Sequence, residues 1–596
     1  MMSVPILTRR LALLAFCLIA ILPFASRVHF VPLPQWFGEM NVVWLMLASA
    51  VLLMPSGVLF QQIPRASWWC LLLAGLWAIQ PQLVHALFPG MTYATALAWL
   101  AVALLAAVSV SLQQSIGSRE FAIWLARAII VGGLIQSLIG LAQLTNTANA
   151  LGLFYDSEHP TTNIFGHIGQ RNQYAHYLMW SVVSGVYLFA VDRMARGWLA
   201  LLVVWLGVML AYAASRTTLL YLLALSVLGL VWNWRMRSEE SRRLMWAMLL
   251  SCVVIFAAQF ALPYINHLVS LITHAQVSNA SGVQRLAANG DDMGSRRLSE
   301  MGKAWLSFKS HPLWGVGWSQ FAAESVRLQP LPQFASAGFN SGLFTNCHNL
   351  ILQLLVEMGL PMTVLVVGGF AWVIWPFFAE KAAAEGMLAL GCMAVTLIHS
   401  MLEYPLWYLY FLAMLVVFAS MSPARMAPAA LLTRLFWLCG MLFIGYLSLV
   451  TWSTYNELVG LYSQTDNPAR DARRQQRLAE IMEQHPLFAY HALSTLDDYL
   501  TPSKDNLTRK LAWEERLTAF RPYPDVMMKK AQMLALAGRE GEAEETVRMA
   551  LASFPTYAKD YLDEIDDDVP AWLPLRRIAQ QVFDRLPPQY RGGEDN

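Results

Sequence analysis

The sequence predicts an all-α polytopic membrane protein with about thirteen transmembrane helices, one large outer loop and a helical C-terminal domain. Three observations carry this. The 596 residues are 57% hydrophobic and only 13% charged, whereas a soluble domain has about 25% charged residues. Apolar segments recur through residue 451, and only one long polar stretch, 266–358, interrupts them. Beyond residue 451 the chain becomes charged and helical in period. The 23 tryptophans and 20 tyrosines suit interfacial belts, where amphipathic rings sit at headgroup level.

A crossing helix needs about 17–25 apolar residues. The segments that qualify are 11–26, 41–60, 67–87, 91–112, 121–144, 174–191, 198–213, 217–234, 244–265, 359–378, 386–401, 405–421 and 431–451. The first could pass for a signal peptide, but Pro23-Phe24-Ala25-Ser26-Arg27 is a poor cleavage site, so retention as a helix is expected. With the N-terminus inside, the inner loops carry Arg9, Arg10, Arg65, Arg119, Arg193, Arg196, Arg235, Arg237, Arg242, Arg243, Lys381, Arg425 and Arg434. The opposite short loops carry only Arg27, Arg171 and Arg216. That is a consistent positive-inside bias. It places both 266–358 and 452–596 outside, and all 12 histidines fall on or near that face. The expected organisation is 1–265 for the first nine spans, 266–358 for the outer loop, 359–451 for the last four spans and 452–596 for the outer helical domain.

A formal charge of +2 says nothing about partners, and no basic stripe outside short loops suggests nucleic acid. Five of the six cysteines lie in apolar spans, leaving Cys347 alone in a loop, so no disulfide framework or CxxC metal pattern is expected. In the C-terminal region, Pro524 to Arg539 followed by Glu542 to Leu551 reads as two antiparallel helices with Gly538 at the turn and Pro555 beyond. The pair resembles a tetratricopeptide unit; a plain helical bundle is the alternative.

Chemistry-bearing residues gather on the outer face. Before span six stands Gly166-His167-Ile168-Gly169-Gln170-Arg171-Asn172-Gln173, where glycines allow close backbone approach. Polar residues at a helix entrance often only cap it; four in a row exceed that need and favour ligand contact. Ser215-Arg216 fills the tight turn between spans seven and eight. An arginine there could snorkel to headgroups or hold phosphate oxygens bidentately. In the long loop, Ser295 to Ala304 forms an amphipathic basic helix in which Arg297 could face a phosphate, and His311-Pro312-Leu313-Trp314-Gly315-Val316-Gly317 reads as a tight turn. His348 is expected to open an amphipathic helix that Gly359-Leu360-Pro361 turns into span ten. A helix start favours a neutral imidazole, which can accept a proton. No HExxH arrangement accompanies it. Finally His399-Ser400-Met401-Leu402-Glu403-Tyr404-Pro405-Leu406 joins spans eleven and twelve, with Glu403 four residues after His399 as a possible helix pair or orienting group.

Taken as a set, these motifs resemble the O-antigen ligase/polymerase superfamily. The first and last are similar to its branch of bacterial protein O-oligosaccharyltransferases, the pilin-glycosylating, PglL-like enzymes. The resemblance covers about 160–420 well and the C-terminal region in style. It implies transfer of a preassembled glycan from undecaprenyl pyrophosphate to a Ser or Thr hydroxyl of an exported protein, at the periplasmic face of the inner membrane. It also implies functional roles for Gln170, Arg216, His348 and Tyr404. Arg216, helped by Arg297, would hold the pyrophosphate and stabilise the leaving group, and His348 would position or deprotonate the acceptor hydroxyl. Glu403 and Tyr404 would complete the catalytic set. Gln170 and Asn172 would bind the pyrophosphate or first sugar, with Arg171, His167 and His399 beside them. No metal or cofactor is expected. The rivals are a ligase or polymerase with a sugar acceptor, and a flippase for the same lipid. The flippase would need polar residues in mid-span, where Gln136 and Ser137 are the main ones.

Overall fold

The computed structural model describes residues 4–145, 147, 164–273, 279–287, 292–335, 342–379 and 383–591. His159, His274 and Lys381, counted above, lie outside the described residues. Among the described residues no strand occurs, and one isolated bridge joins Gln62 to Pro428. The principal helices are α1 (Val4–Leu18), α2 (Trp36–Leu53), α3 (Arg65–Leu83), α4 (Pro89–Ile116), α5 (Ser118–Leu144), α6 (Arg171–Ala190), α7 (Arg196–Tyr212), α8 (Thr217–Met236) and α9 (Glu239–Thr273). The polar stretch carries α10 (Gly282–Ala287), α11 (Asp292–Ser310) and α12 (Phe321–Leu328). Then follow α13 (Leu350–Ile374), α14 (Ala384–Ser400), α15 (Leu409–Ser420) and α16 (Leu431–Leu461). The C-terminal region holds α17 (Pro468–Gln484), α18 (Ala489–Asp497), α19 (Leu507–Thr518), α20 (Pro524–Leu536), α21 (Glu540–Ser553), α22 (Ala558–Glu564) and α23 (Leu573–Arg585).

Seven of these segments are long and apolar enough to cross a membrane: Trp36–Ser56, Pro89–Ile116, Ser118–Leu144, Thr217–Met236, Glu239–Leu271, Leu350–Ala379 and Leu431–Leu461. Shorter apolar helices occupy Arg196–Tyr212, Ala384–Ser400 and Leu409–Ser420. The protein is a multi-pass membrane protein in character. α9 continues to Thr273, further than the span expected at 244–265.

The chain forms two compact units. One comprises 1–74, 97–289 and 367–449; the other comprises 75–96, 290–366 and 450–596. The first is organised around α6, which is buried along nearly its whole length from Gln173 to Leu188. A helix apolar all round belongs in an interior. Small residues bring its neighbours close: a Cβ on Gly133 of α5 would meet Ser181 Oγ at 2.1 Å, so the two backbones approach as only glycine permits. Ser181 donates to Ile129 O at 2.9 Å and Trp180 Nε1 to Cys392 O at 3.0 Å, tying α6 to α5 and α14.

In the second unit the turn 312–317 is stitched to the end of the first half of α13. Val316 N donates to Val356 O at 2.8 Å, Gly317 N to Glu357 O at 3.1 Å and Leu360 N to Pro312 O at 2.8 Å. Two glycines make this possible. Gly315 has φ +67°, and a Cβ there would meet the Glu357 carbonyl carbon at 2.4 Å; Gly359 has φ +76°, and its Cβ would meet Leu313 O at 2.2 Å. Gly359 therefore breaks α13 where the sequence places a turn into the apolar span. The helical pair read at 524–551 is present as α20 and α21, with Gly538 between them at φ +77°.

Candidate active site

The site in the first unit is built on residues 164–173. Gly166 has φ +61°, and a Cβ there would meet Gln136 Oε1 at 2.1 Å. That closeness comes from a clamp on α5. Gln136 Oε1 accepts from His167 N at 3.0 Å, and Gln143 Oε1 accepts from Gly166 N at 2.9 Å and Phe165 N at 3.2 Å. Gln143 Nε2 returns a bond to Gly166 O at 3.0 Å, and Gln136 Nε2 donates to Phe24 O at 2.7 Å. Both glutamines are buried and lie about two helical turns apart on one face of α5. His167 is buried with Nδ1 2.7 Å from Ala25 O. Burial holds its imidazole below the ordinary pKa, with the Ala25 carbonyl pulling the other way.

Gln170 stands at the N-cap of α6, yet its side chain does not cap the helix. Its Nε2 donates to Glu403 Oε2 at 3.3 Å, and Asn172 Nδ2 donates to Glu403 Oε1 at 2.9 Å. Ser215 Oγ donates to Asn172 Oδ1 at 2.8 Å. Glu403 is 2% exposed. The carboxylate thus accepts from two amides of one motif, and Asn172 links a third motif to it through Ser215, while Gln170 Oε1 is buried without a hydrogen-bond partner. Chain connectivity sets the remaining predicted residues beside this cluster: Arg171 lies between Gln170 and Asn172, Arg216 follows Ser215, and Tyr404 follows Glu403. All three are half-buried.

The turn that carries Arg216 is held from several directions. Ala214 takes a left-handed backbone at φ +53°. Arg285 Nη1 of α10 donates to Ala214 O at 3.3 Å, and a Cβ on Gly282 would meet Ser215 O at 2.7 Å.

Two expectations bear on this region. His399 and Glu403 do not share a continuous helix: α14 ends at Ser400 and Glu403 lies in the following turn, where its N still donates to His399 O at 2.8 Å. His399 instead sits fully buried with Nδ1 2.5 Å from Tyr221 OH and its ring 5.0 Å from that of His176. The second concerns mid-span polarity. Gln136 serves the clamp, while Ser137 Oγ donates to Leu134 O at 2.8 Å and accepts from Trp205 Nε1 at 2.8 Å. Both groups are engaged in internal structure, as scaffold residues are.

His348 and Arg297 belong to the second unit. His348 does not open the helix: α13 starts at Leu350, and Asn349 Oδ1 accepts from Leu352 N at 3.1 Å in the capping role. His348 itself is half-buried in a left-handed conformation at φ +57°, its ring 5.6 Å from that of Phe344. The segment is anchored on its N-terminal side by Cys347 N, which donates to Gln353 Oε1 at 2.7 Å. Burial pushes the Cys347 thiol up to about 12, which makes it a structural group rather than a nucleophile. Arg297 is half-buried on α11, and His311 is exposed at the end of that helix.

Sequence reasoning passed over Gln143 and Tyr221. The signal for the first was present: Gln136 and Gln143 share a face of an otherwise apolar helix. Nothing local marks Tyr221.

Comparison with known proteins follows this geometry. A family model described as "Protein glycosylation ligase" matches residues 164–189, the clamped segment and most of α6. The "O-Antigen ligase" model matches 201–367 and thus includes Arg216, Arg297 and His348. A third, "Virulence factor membrane-bound polymerase, C-terminal", matches 387–563, from His399 and Glu403 through the helical region. These matches make the chain similar to proteins of the O-antigen ligase superfamily over three separate stretches. Within that class its likeness is to the PglL-like protein O-oligosaccharyltransferases. It is 23% identical over 361 residues to a protein of Acinetobacter baylyi (strain ATCC 33305 / BD413 / ADP1) named "General O-oligosaccharyltransferase". That alignment covers 58% of this chain and 59% of the relative.

One prediction follows from the carboxylate at the centre of the first unit's cluster. Glu403→Gln offers one acceptor oxygen where two amides now donate, leaving one amide facing another. Losing a charge-assisted bond at a buried site costs about 1–3 kcal/mol of stability, so the melting temperature should fall measurably, and transfer at matched membrane abundance should fall about 10–100-fold as Gln170 and Asn172 lose their shared anchor. Wild-type rates in that variant would reduce Glu403 to a packing residue.

Proposed function

We propose that this protein transfers a preassembled oligosaccharide from undecaprenyl pyrophosphate to Ser or Thr hydroxyls of exported proteins, pilin-type proteins among them. The reaction takes place on the periplasmic face of the bacterial inner membrane. The observation that supports it most is the meeting of Gln170, Asn172 and Ser215 around Glu403, which gathers three separate sequence motifs at the ends of α6, α8 and α14. Arg216 holds the pyrophosphate and stabilises the charge that develops on it as the glycosidic C–O bond breaks. Arg297 assists by supplying a second guanidinium. His348 positions or deprotonates the acceptor hydroxyl. Arg171, Asn172 and Gln170 shape the donor end, and Tyr404 adds a hydroxyl donor beside Glu403.

In this reading the thirteen apolar segments all cross, with the N-terminus inside, and the tetratricopeptide-like region 452–596 receives the acceptor protein on the outer side. The loop charges support that topology. The test is reconstitution in proteoliposomes with an undecaprenyl-pyrophosphate-linked oligosaccharide, offered a pilin or a lipid A-core acceptor in parallel. Intact mass should show glycan on a Ser or Thr of the pilin, released by alkaline β-elimination. Transfer to the core sugar alone would make the protein a ligase. Reporter fusions within 266–358 and at Gly538 should be active only as periplasmic enzymes.

A further inference from the structure

α11 is built inside out. Its buried stripe is polar except for Ala304: Glu300 and Lys303 are each 1% exposed, and Ser307 lies buried on the same face. Lys303 Nζ donates to Glu300 Oε1 at 2.6 Å, Gln329 Oε1 at 2.6 Å and Ser325 Oγ at 3.1 Å. Ser325 Oγ in turn donates to Glu300 Oε2 at 2.6 Å. This network is closed within the unit, so the polar face has no need of water. The opposite stripe, Leu298, Met301 and Trp305 at helical spacing, faces outward, with Leu298 70% and Trp305 48% exposed. A surface helix in water has the reverse arrangement.

The apolar stripe is continued by Leu313, 62% exposed, and Trp314, in the turn that ends α11. That turn touches the chain where the apolar half of α13 begins, through the bond from Leu360 N to Pro312 O. The segment Leu350–Ala379 is long and apolar enough to cross a membrane, and Leu360 and Val364 at its start are exposed as lipid-facing residues are. The outward face of α11 is thus continuous with a lipid-facing surface.

We propose that α11 is an interfacial helix that lies on the outer leaflet, with Leu298 and Trp305 set among lipid at the headgroup–acyl boundary. Trp305 and Trp314 are residues suited to that depth, and Lys309 at the far end of the stripe reaches headgroup phosphates along its aliphatic stem. An amphipathic helix in this position binds by its buried apolar area. The partner is the lipid surface itself. The inference rests on the membrane-crossing character of the apolar half of α13 and not on the proposed glycan transfer, so the two can fail separately.

Nitroxide accessibility tests it. In a Cys439→Ala background, whose other native cysteines are buried, Leu298→Cys and Trp305→Cys are spin-labelled and reconstituted in phosphatidylethanolamine–phosphatidylglycerol vesicles. Leu442→Cys on α16 is the lipid-facing control and Leu573→Cys on α23 the aqueous one; both positions are exposed. Labels at 298 and 305 should collide with oxygen over a nickel chelate at a ratio several-fold above the 573 label, approaching the 442 label. A ratio equal to that at 573 overturns the proposal. So does suppression of both collision rates, which would mean protein covers the face. If either variant elutes as aggregate, Met301→Cys on the same stripe replaces it.

Discussion

His348→Ala should lose about 10²–10⁴-fold of glycan transfer, the range typical of a general base or positioning group, while expression and melting temperature stay unchanged. The structure sharpens this expectation. The histidine is not a capping residue, because Asn349 takes that role toward Leu352, and it is not part of the buried anchor, which Cys347 and Gln353 provide. The start of α13 is held by Asn349, Cys347 and Gln353. The left-handed backbone at this position is tolerated by few residue types, so His348→Asn is the safer second variant: asparagine accepts that conformation and lacks the basic ring. His311→Ala should lose far less, since His311 is exposed and its ring only approaches Ser307 O at 3.4 Å. Chelator should not change wild-type transfer, because no metal takes part in the proposed reaction. Normal transfer by both His348 variants removes the histidine from the mechanism; loss of transfer in chelator would require a metal that the proposed chemistry does not include.

Helices were legible because they are written locally, though some ends were not: α13 starts at Leu350 rather than His348, and α9 runs on to Thr273. Apolar runs gave the helices of the membrane region, Gly359 and Gly538 stand where the chain turns, and the polar motifs between helices were set apart as a group. What could not be read was pairing across distance. That the amides of Gln170 and Asn172 point to Glu403, rather than outward, depends on where α6 and α14 end relative to each other. No period or spacing encodes that. His399 illustrates the same limit from the other side. A four-residue separation from Glu403 suggests a helix pair, but α14 stops at Ser400, and the imidazole turns inward to Tyr221. Gln136 and Gln143 had a visible pattern, yet polarity within a span is compatible with a permeation path or a scaffold. Only the carbonyl and amide partners of Gly166 and His167 separate those uses.

Arg216→Lys should lower transfer by about 10²–10³-fold, comparable to removal of one preorganised donor from a developing oxyanion. The lysine keeps the charge, so any loss measures geometry. Guanidinium presents a planar fork that matches two phosphate oxygens, and an ammonium cannot reproduce it. Geometry is the relevant variable here because the backbone that carries Arg216 is fixed: Ser215 is bonded to Asn172, Arg285 holds Ala214 O, and Gly282 packs directly on Ser215 O. A lysine at this position cannot shift the turn to compensate. If the arginine acts on the leaving pyrophosphate, kcat should fall with little change in KM, as for an interaction made mainly in the transition state. If it holds the donor in the ground state as well, KM should rise too. A headgroup-snorkelling role predicts neither, since lysine snorkels equally well. Near-normal transfer by Arg216→Lys at matched membrane abundance would therefore remove the phosphate role, leaving the Glu403 cluster to be explained as scaffold.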